Sequence, residues 1–559
     1  MPMESTVERR LSPAFTADGE RAACVLVDGV GRAAVEVTEL DGKVPVARVL
    51  AGPVSVRCQV VPAPDGRAVS VSSADGAHRL SLHDVEGQVG LGESRAPALR
   101  AVPSRDRRVL AWLVSGDGER SALSRVDART LSVAPVAVVE GRVAGAVWWC
   151  GDMAVMEVFA GRSRRIVRVD VRTGATRTVP TSGPVTLLAA AGGELLVRPP
   201  QGTVTGWLGA DGSRLRALSC QGIPRALAVD PAGKRVALRV DEGTRSRLLI
   251  AEAGAAEVTE PPLPAGVVRA AGWGRRGLHL FRTDPVTPPG LSTVDPDAGM
   301  RARGAPGART EVFAGPAGPI EAVVYGDRLR ARRLVVALHG GPEAAWDLGW
   351  DPLFARLSAA GVAVVAPNQR GSTGYGAAHR RAIRGAWGGP DLADVLWLGA
   401  QLAAVRPRAQ APALFGTSYG AFLALLAAAA EPERWSRCAA VAPFLSARRL
   451  HADAGPAVRS LIERLDGRED VEDALGPRDL VRLASRVVAP VLIAHGTDDD
   501  VIPVAHSRTL AGLLGARYRE VPGGGHDLLT EPGGEALTGE VAAFLSGQGL
   551  NGQSLEGGR

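Results

Sequence analysis

The 559-residue sequence contains few cysteines, almost no lysine and no long apolar run. The five cysteines are odd in number and far apart, and no CxxC pair or Cys/His cluster has the spacing of a metal site. We therefore expect no metal and no cofactor, and we expect reduced, buried thiols in a reducing compartment. The cysteines are Cys24, Cys58, Cys150, Cys220 and Cys438.

No apolar stretch is long enough for a transmembrane helix, and the nearest, residues 421–430, is short and rich in alanine. The first residues, MPMESTVERRLSPAF, lack the apolar core of a signal peptide. These absences predict a soluble, cytoplasmic protein with no membrane partner.

Lysine occurs only at Lys43 and Lys234, so nearly all of the 65 basic residues are arginine. The net charge is +6, but the basic residues are interspersed with 59 acidic ones and form no long basic run. The charge therefore gives no reason to expect a nucleic-acid partner.

A chain of this length should divide into two or more domains. Residues 1–303 read as short β-strands separated by turn signals that recur every 40 to 47 residues or so. About four short strands per repeat are what a β-propeller blade requires, so seven signals predict seven blades. The alternative is one or two β-sandwiches with an accidental spacing. The signals are Asp18-Gly19, Asp65-Gly66, Asp106, Asp152, Gly192-Gly193, Gly233 and Gly274.

The pattern then changes. Residues 304–318 are rich in glycine, alanine and proline and are predicted to form a linker. In residues 319–546, continuous apolar runs such as 334–338 and 491–494 alternate with helical stretches. This alternation predicts a doubly wound, mostly parallel sheet of the α/β-hydrolase type. Residues 547–559 are polar and rich in glycine, which predicts a disordered tail.

The segment GTSYG at residues 416–420 matches the nucleophile elbow GxSxG. It lies between a predicted strand at 413–415 and a predicted helix at 422–430, which is the context that the motif needs. The flanking glycines let strand and helix approach closely around the turn. We therefore predict Ser418 as a nucleophile.

A serine hydroxyl needs a base to accept its proton, and in this fold the chain order is Ser, acid, His. Only His506 and His526 follow both Ser418 and the acidic cluster near residue 499. His506 begins a predicted helix and is expected on its surface. His526 follows a strand on a glycine-rich loop, from which it can reach the serine, and it is the predicted base.

The predicted acid comes from the loop after residues 491–494, where Asp498, Asp499 and Asp500 are adjacent. It should accept Nδ1–H of the histidine and stabilise the imidazolium. Chemistry alone leaves the choice among the three open. The G-x-x-D-x-x-V/I-P pattern of the fold selects Asp499, which leaves its neighbours to loop solvation or capping.

Two N–H donors should stabilise an oxyanion next to Ser418. One is the backbone amide of Tyr419, directly after the nucleophile. The other is expected in the HGGP segment after an early strand, at Gly341 or Gly340. His339 of that segment is expected to hold the loop.

Several segments together resemble the prolyl oligopeptidase family of serine peptidases, nearest to its acylaminoacyl-peptidase branch. The resemblance covers nearly all of residues 330–530. It implies hydrolysis of short peptides and an N-terminal β-propeller that restricts access by size. The segments are HGGP at 339–342, PNQRGSTGYG at 367–376, RGAWGGPD at 384–391 and GTSYG at 416–420.

Within these segments, Arg370, Tyr375 and Trp387 are candidates for the substrate cleft, with support of the surrounding loop as an equal alternative. Asp391 and Asp394 are one helical turn apart and are expected as acidic residues at a helix N-terminus, since that placement is favourable there. Acidic residues that some relatives use to bind a free amino terminus are not identified.

The sequence thus predicts a serine peptidase that cleaves short or N-blocked peptides through an acyl-enzyme. One alternative is an esterase, thioesterase or acyltransferase with a small-molecule, biosynthetic substrate, because the same triad serves any acyl transfer. Another is a non-catalytic interaction protein in which the propeller is the binding part. The expected partner is a short peptide or small acyl substrate, and the oligomeric state is not predicted.

Overall fold

A computed structural model shows that the chain forms two compact units. The second unit comprises Ala305–Arg559 with the short segments Glu242–Arg245 and Asp284–Thr287, and the first comprises the remainder up to Gly304. The residues described are 8–28, 31–74, 76–161, 163–199, 204–209, 212, 215–301, 307–407, 410–531 and 533–547.

The first unit contains seven antiparallel sheets, each made of strands that are consecutive along the chain. Six sheets have four strands and the last has three. The first four sheets contain β1 (Arg9–Phe15), β2 (Arg21–Val27), β3 (Ala33–Glu39), β4 (Val46–Leu50); β5 (Gln59–Pro62), β6 (Ala68–Ala74), β7 (Ala77–His83), β8 (Gln88–Ser94); β9 (Ala98–Pro103), β10 (Val109–Gly116), β11 (Arg120–Asp127), β12 (Val133–Glu140); and β13 (Arg142–Cys150), β14 (Met153–Ala160), β15 (Ser163–Asp170), β16 (Thr176–Val179). The last three contain β17 (Thr186–Ala191), β18 (Glu194–Arg198), β19 (Gly206–Leu208), β20 (Arg216–Ala217); β21 (Pro224–Val229), β22 (Arg235–Glu242), β23 (Arg245–Glu252), β24 (Val258–Thr259); and β25 (Val267–Gly274), β26 (Gly277–Asp284), β27 (Thr287–Val294).

These sheets are the blades of a seven-bladed β-propeller, as the repeat of turn signals predicted. Strand β1 lies against both β5 and β25, so the first blade packs between the second and the seventh and the ring closes. Every predicted signal falls at the hairpin between the first and second strands of a blade. The recurring turn is therefore the same structural position, repeated seven times.

The contact between the first and last blades explains why glycine is required at one of these turns. Gly19 has a φ of +69°, and a Cβ there would overlap the backbone of Trp273. The backbone N–H of Arg275 donates to Oε1 of Glu20 at 2.9 Å, close to this contact. The ring is thus closed by packing and a hydrogen bond between adjacent blades.

Aromatic residues fill the spaces between neighbouring blades. The rings of Trp112 and Trp149, in the third and fourth blades, have centroids 5.3 Å apart. Trp207 of the fifth blade is fully buried and shares a core cluster with Leu238 of the sixth. Apolar faces that a single blade would expose are buried by its neighbour, which is how blades stabilise one another.

The cysteines differ in part from the prediction. All five are free thiols, but Cys150 is exposed and Cys220 is partly exposed. The expectation of buried thiols is wrong for these two. Cys150 is the last residue of β13, directly before the turn into β14.

The second unit contains an eight-stranded sheet in the order β28-β29-β31-β30-β32-β33-β36-β37. The pairs β28–β29 and β29–β31 are antiparallel, and all later pairs in the order are parallel. Its strands are β28 (Ala308–Gly315), β29 (Gly318–Tyr325), β30 (Arg333–Leu338), β31 (Val362–Pro367), β32 (Ala413–Thr417), β33 (Cys438–Val441), β36 (Val491–Gly496) and β37 (Arg517–Val521), with the small pair β34 (Glu472–Asp473) and β35 (Gly476–Pro477) outside it.

Helices cover both faces of this sheet, with one apolar core on each face. The strands read as continuous apolar runs because both of their faces are buried; all six residues of β31 are buried. The helices are α1 (Pro352–Ala359), α2 (Gly376–Arg381), α3 (Pro390–Ala404), α4 (Tyr419–Ala430), α5 (Ala447–Asp453), α6 (Pro456–Arg464), α7 (Leu480–Leu483), α8 (Ala505–Leu514) and α9 (Gly534–Ser546), with 3-10 turns at Pro432–Arg434 and Ala484–Arg486.

No helix in the described part of the chain combines the length and the apolarity needed to cross a membrane. The longest helix of the sheet domain, α3, has 15 residues and begins with Pro and Asp. A bilayer-spanning helix needs about 20 apolar residues.

The predicted linker at 304–318 is wrong over its described part. Residues 308–315 form β28, the edge strand of the large sheet, and pair antiparallel with β29. Phe313 is buried in the core, whereas its neighbour Val312 is 66% exposed. The glycine, alanine and proline content concealed this alternation. Residues 302–306 and the predicted tail beyond Gly547 lie outside the described residues.

We predict that Phe313→Ala lowers the free energy of unfolding of the sheet domain by about 3 kcal/mol, because it leaves a cavity in the core. Val312→Ala, one residue away on the exposed face, is the matched control and should change it little. Thermal unfolding of the full chain measures both. Equal melting temperatures for the two variants would contradict the placement of β28.

Candidate active site

Ser418 lies at the sharp turn between β32 and α4, with φ 54° and ψ −121°. A positive φ is rare for a residue with a side chain and marks a strained backbone. A Cβ at Gly416 would overlap the backbone of Gly420, and a Cβ at Gly420 would overlap the carbonyl of Leu338. Both glycines are therefore required for the close approach of strand, turn and helix.

The serine hydroxyl contacts a histidine, which in turn contacts an aspartate. Nε2 of His526 lies 3.1 Å from Oγ of Ser418, and Nδ1 of the same ring lies 2.7 Å from Oδ2 of Asp499. Both distances are within hydrogen-bonding range. The structure thus brings the three residues predicted as a triad into one hydrogen-bonded chain.

Asp499 differs from its two neighbours in burial. Its side chain has no exposure, whereas Asp498 and Asp500 are exposed. Its second oxygen, Oδ1, accepts the backbone N–H groups of Val501 at 2.8 Å and Ile502 at 2.9 Å. The geometry therefore distinguishes the three aspartates, which residue chemistry alone could not do.

His495 is a further contact of Asp499 that the sequence did not reveal. Its Nε2 lies 3.0 Å from the same Oδ2 that contacts His526, and 2.9 Å from the carbonyl oxygen of Ile502. Its Nδ1 lies 2.6 Å from Oγ of Ser507, and the side chain is fully buried. Because carbonyl and carboxylate oxygens only accept, Nε2 carries the proton and donates to both. The sequence did not predict this contact, because His495 lies within an apolar strand and no neighbouring residue indicates its partner.

These donors determine the charge of Asp499. Burial by itself would raise the pKa of the carboxyl group, but hydrogen bonds from His495 and His526 outweigh it and hold the pKa well below its usual value. Asp499 is therefore ionised at neutral pH and can stabilise an imidazolium at His526.

The HGGP loop and the first turn of α4 lie next to Ser418. Tyr419 is the first residue of α4, so its N–H has no intrahelical carbonyl to donate to. A Cβ added to Gly340 would lie 3.5 Å from Cβ of Ser418, and Gly341 has a φ of +126° that favours glycine. The loop backbone thus passes close to the nucleophile, where an oxyanion would form.

His339 holds this loop. Its Nδ1 donates to the carbonyl oxygen of Gly340 at 2.7 Å, and its Nε2 lies 2.7 Å from Oγ of Ser372. Burial lowers the pKa of the ring to about 4, so it is neutral at physiological pH.

A pocket of about 450 Å³ opens beside these groups. Ser418, His526, Gly340 and Gly341 all line it. Most of its remaining wall is apolar, and includes Trp346, Leu353, Phe415, Val441, Leu528 and Leu529. The arrangement can deprotonate a serine hydroxyl beside a mostly apolar pocket that the HGGP loop also lines.

Residues 348–535 match the prolyl oligopeptidase family. The matched segment lies within the C-terminal unit. It includes Ser418, Asp499 and His526. It begins after the HGGP loop, which lies at residues 339–342.

Curated relatives share the same region. The uncharacterized peptidase YuxL of Bacillus subtilis is 30% identical over 181 residues, which are 32% of this chain and 27% of that protein. The acylamino-acid-releasing enzyme of Rattus norvegicus is 28% identical over 196 residues, 33% of this chain and 26% of that protein. The chain thus spans about a third or less of the length of the curated relatives that it matches.

Solved structures resemble the whole chain. A puromycin-hydrolyzing peptidase of Mycobacterium tuberculosis has a TM-score of 0.74 at 20% identity and covers 98% of this chain and 94% of its own. The acylaminoacyl peptidase of Pyrococcus horikoshii has a TM-score of 0.71 at 14% identity and covers 100% of this chain and 98% of its own. At these identities the likeness shows the fold: a β-propeller followed by an α/β-hydrolase domain.

The segment at residues 367–376, which contains Arg370 and Tyr375, is held by side-chain hydrogen bonds to neighbouring elements. Arg370 donates to Asp394 at 2.7 Å, and the hydroxyl of Tyr375 donates to Oε1 of Glu321 at 2.7 Å while accepting from Asn368 at 2.7 Å. These contacts tie the loop after β31 to α3 and β29.

Trp387 is buried and packs edge-on against Tyr419, with ring centroids 5.2 Å apart. In the described part of the chain, the pocket of Ser418 is lined by none of Arg370, Tyr375 and Trp387. Their assignment to the substrate cleft is not supported, and their contacts agree with the alternative of loop support.

The acidic pair at the start of α3 does more than complement a helix N-terminus. The hydroxyl of Tyr419 donates to Oδ2 of Asp391 at 2.6 Å, and burial raises the pKa of that carboxyl group to about 6. Asp394 pairs with Arg370 instead. The residue after the nucleophile is therefore anchored through its side chain.

The sequence predicted His506 on the surface of a helix, and this prediction is wrong. His506 is buried in α8, and its Nδ1 accepts the backbone N–H of Leu445 at 3.1 Å. Burial lowers the pKa of its ring. Its role is to fix the chain that follows β33.

We predict that His495→Leu slows labelling of Ser418 by a fluorophosphonate about tenfold, because Asp499 loses a charge-assisted hydrogen bond. With one donor fewer, the pKa of Asp499 rises from its lowered value, and its carboxylate becomes a stronger acceptor for the Nδ1–H of His526. The acid limb of the labelling rate should therefore move to higher pH.

His495→Gln, whose amide can restore the Nε2 donor, is the matched control and should shift the acid limb less. The measurement is the labelling rate between pH 5 and pH 9. A lower melting temperature with an unchanged pH profile in both variants would show that His495 has only a packing role.

Proposed function

We propose that the protein is a serine peptidase that cleaves short or N-blocked peptides through an acyl-enzyme intermediate. The observation that carries the proposal is the hydrogen-bonded chain from Ser418 through His526 to Asp499, beside a pocket that Gly340 and Gly341 also line. The two distances agree with the parts that we propose for these three groups in acyl transfer.

In the first half of the reaction, Nε2 of His526 takes the proton of Ser418 while Oγ bonds to the substrate carbonyl carbon. The carbonyl oxygen becomes an oxyanion, which the N–H groups of Tyr419 and of Gly341 or Gly340 stabilise. The proton on Nε2 then passes to the leaving nitrogen, the C–N bond breaks, and the acyl group stays on Oγ as an ester.

In the second half, a water molecule replaces the leaving amine. Nε2 of His526 takes a proton from this water, and the hydroxide adds to the ester carbonyl carbon. Collapse of the oxyanion returns the proton to Oγ of Ser418 and releases the acid. Asp499 stays ionised throughout and stabilises each imidazolium.

Peptides are favoured as substrates by the family of the C-terminal unit and by the names of its relatives. Peptidases and acylamino-acid-releasing enzymes recur among the curated proteins and solved structures that resemble this chain. The proposal of N-blocked substrates rests on the resemblance to the acylaminoacyl-peptidase branch of the family.

We predict that Ser418→Ala lowers kcat/KM for an N-acetylated aminoacyl arylamide by about 10⁴-fold or more, because the nucleophile is lost. Ser73→Ala, at an exposed serine of propeller strand β6 and outside the pocket of Ser418, is the matched control. It should retain most of the activity. Undiminished turnover in purified Ser418→Ala protein would contradict the assignment.

A second comparison tests the substrate class. The protein should hydrolyse both N-acetylated aminoacyl amides and the matched esters. It should also cleave short peptides in preference to folded proteins, as the family resemblance implies. Steady-state kinetics on amide and ester pairs with one acyl group measures the first ratio. Turnover of esters alone would favour an esterase, thioesterase or acyltransferase with the same triad.

A further inference from the structure

His526 and the four residues that follow it, 527–530, all line the pocket beside Ser418. In the proposed reaction, Nε2 of His526 hands its proton to the leaving nitrogen, so the leaving group must lie next to this ring. Because this pocket is lined by His526 and by the residues that follow it, it is a candidate site for the part of the substrate that departs.

The lining of the pocket is mostly apolar. Trp346, Leu353, Leu528 and Leu529 line it, and Leu353 and Leu528 are buried in the protein. Trp346 is held in place because its backbone N–H donates to Asn368 and its indole N–H donates to the carbonyl of Ala337, at 2.7 and 2.8 Å. A volume of about 450 Å³ is large enough for an aromatic or branched side chain.

The charges of the pocket are of one sign. Apart from His526, the charged residues that line it in the described part of the chain are Asp351 and Asp527, and no arginine or lysine does so. Asp351 caps α1 by accepting the backbone N–H of Phe354 at 2.9 Å. Burial raises the pKa of Asp351 to about 6, so the group is ionised at pH 8.

We propose that this pocket binds an apolar leaving group that has no carboxylate: an amino-acid amide, an arylamine, or an internal residue of a longer peptide. A free carboxylate on the first leaving residue would enter a small apolar space next to Asp351 without a cation to pair with, which is unfavourable. The inference rests on the proposed function and adds to it the chemical class of the departing product.

Three substrates with the same N-acetylated aminoacyl group test the proposal at pH 8. They differ only in the leaving group, which is phenylalanine amide, free phenylalanine or glycine amide. The kcat/KM for phenylalanine amide should exceed each of the other two by about tenfold or more. Equal values for all three would overturn the proposal.

Asp351→Asn isolates the charge, because asparagine caps helices about as well as aspartate. It should reduce the preference for phenylalanine amide over free phenylalanine several-fold and leave the preference over glycine amide unchanged. Asp117→Asn, at an exposed propeller turn, is the matched control and should change neither ratio.

Ala344→Phe isolates the apolar space, since Ala344 lines the pocket. It should reduce the preference for phenylalanine amide over glycine amide, and its melting temperature shows whether the variant is folded. If both variants instead change selectivity for the acyl group, the pocket binds the other half of the substrate and the inference is wrong.

The same experiment separates the two proposals. A wild-type protein that cleaves none of the three substrates contradicts the proposed function and removes the basis of the inference. Cleavage of all three that depends on Ser418, but without selectivity for the leaving group, contradicts the inference alone.

Discussion

The strained turn at Ser418 is the constraint on which the rest of the site depends. A residue with a side chain is held at φ 54° because two glycines allow β30, β32 and α4 to approach closely around it. Its backbone N–H donates to the carbonyl of Val441 on β33 at 2.8 Å, which ties the turn to the neighbouring strand. The hydroxyl is consequently placed at the carboxyl edge of the sheet.

The other groups reach the same place because parallel strands end at one edge. The HGGP loop follows β30, the acidic loop follows β36, and the loop of His526 follows β37. Parallel strands of one sheet therefore place the HGGP loop, the carboxylate of Asp499 and the ring of His526 beside the hydroxyl of Ser418. Chain segments more than 150 residues apart in sequence meet through this topology alone.

Behind the site lies a set of buried polar contacts that hold these loops. Asp499 accepts from two histidines and two backbone amides, and Tyr419 is anchored on Asp391. Arg370 donates a hydrogen bond to Asp394, which holds the loop after β31 on α3. Buried polar groups that are fully paired favour a single geometry, which a proton-transfer chain needs.

Much of this could be predicted from sequence because the signals are local. The elbow, the order of the triad and the turns of the blades each depend on a few adjacent residues. β28 was missed because its glycine, alanine and proline content resembles a linker, and its burial depends on a neighbouring strand. His495 and the pocket were missed for a related reason: their partners come from distant segments, which only the folded chain brings together.

In the proposed reaction, Ser418 carries the acyl group during turnover. This can be tested by mixing the protein with an activated N-acetylated aminoacyl ester, quenching with acid within milliseconds, and measuring the intact mass. We expect an added mass equal to the acyl group, mapped by peptide digestion to Ser418 and absent in Ser418→Ala. Turnover without a covalent adduct, or an adduct on a different residue, would contradict it.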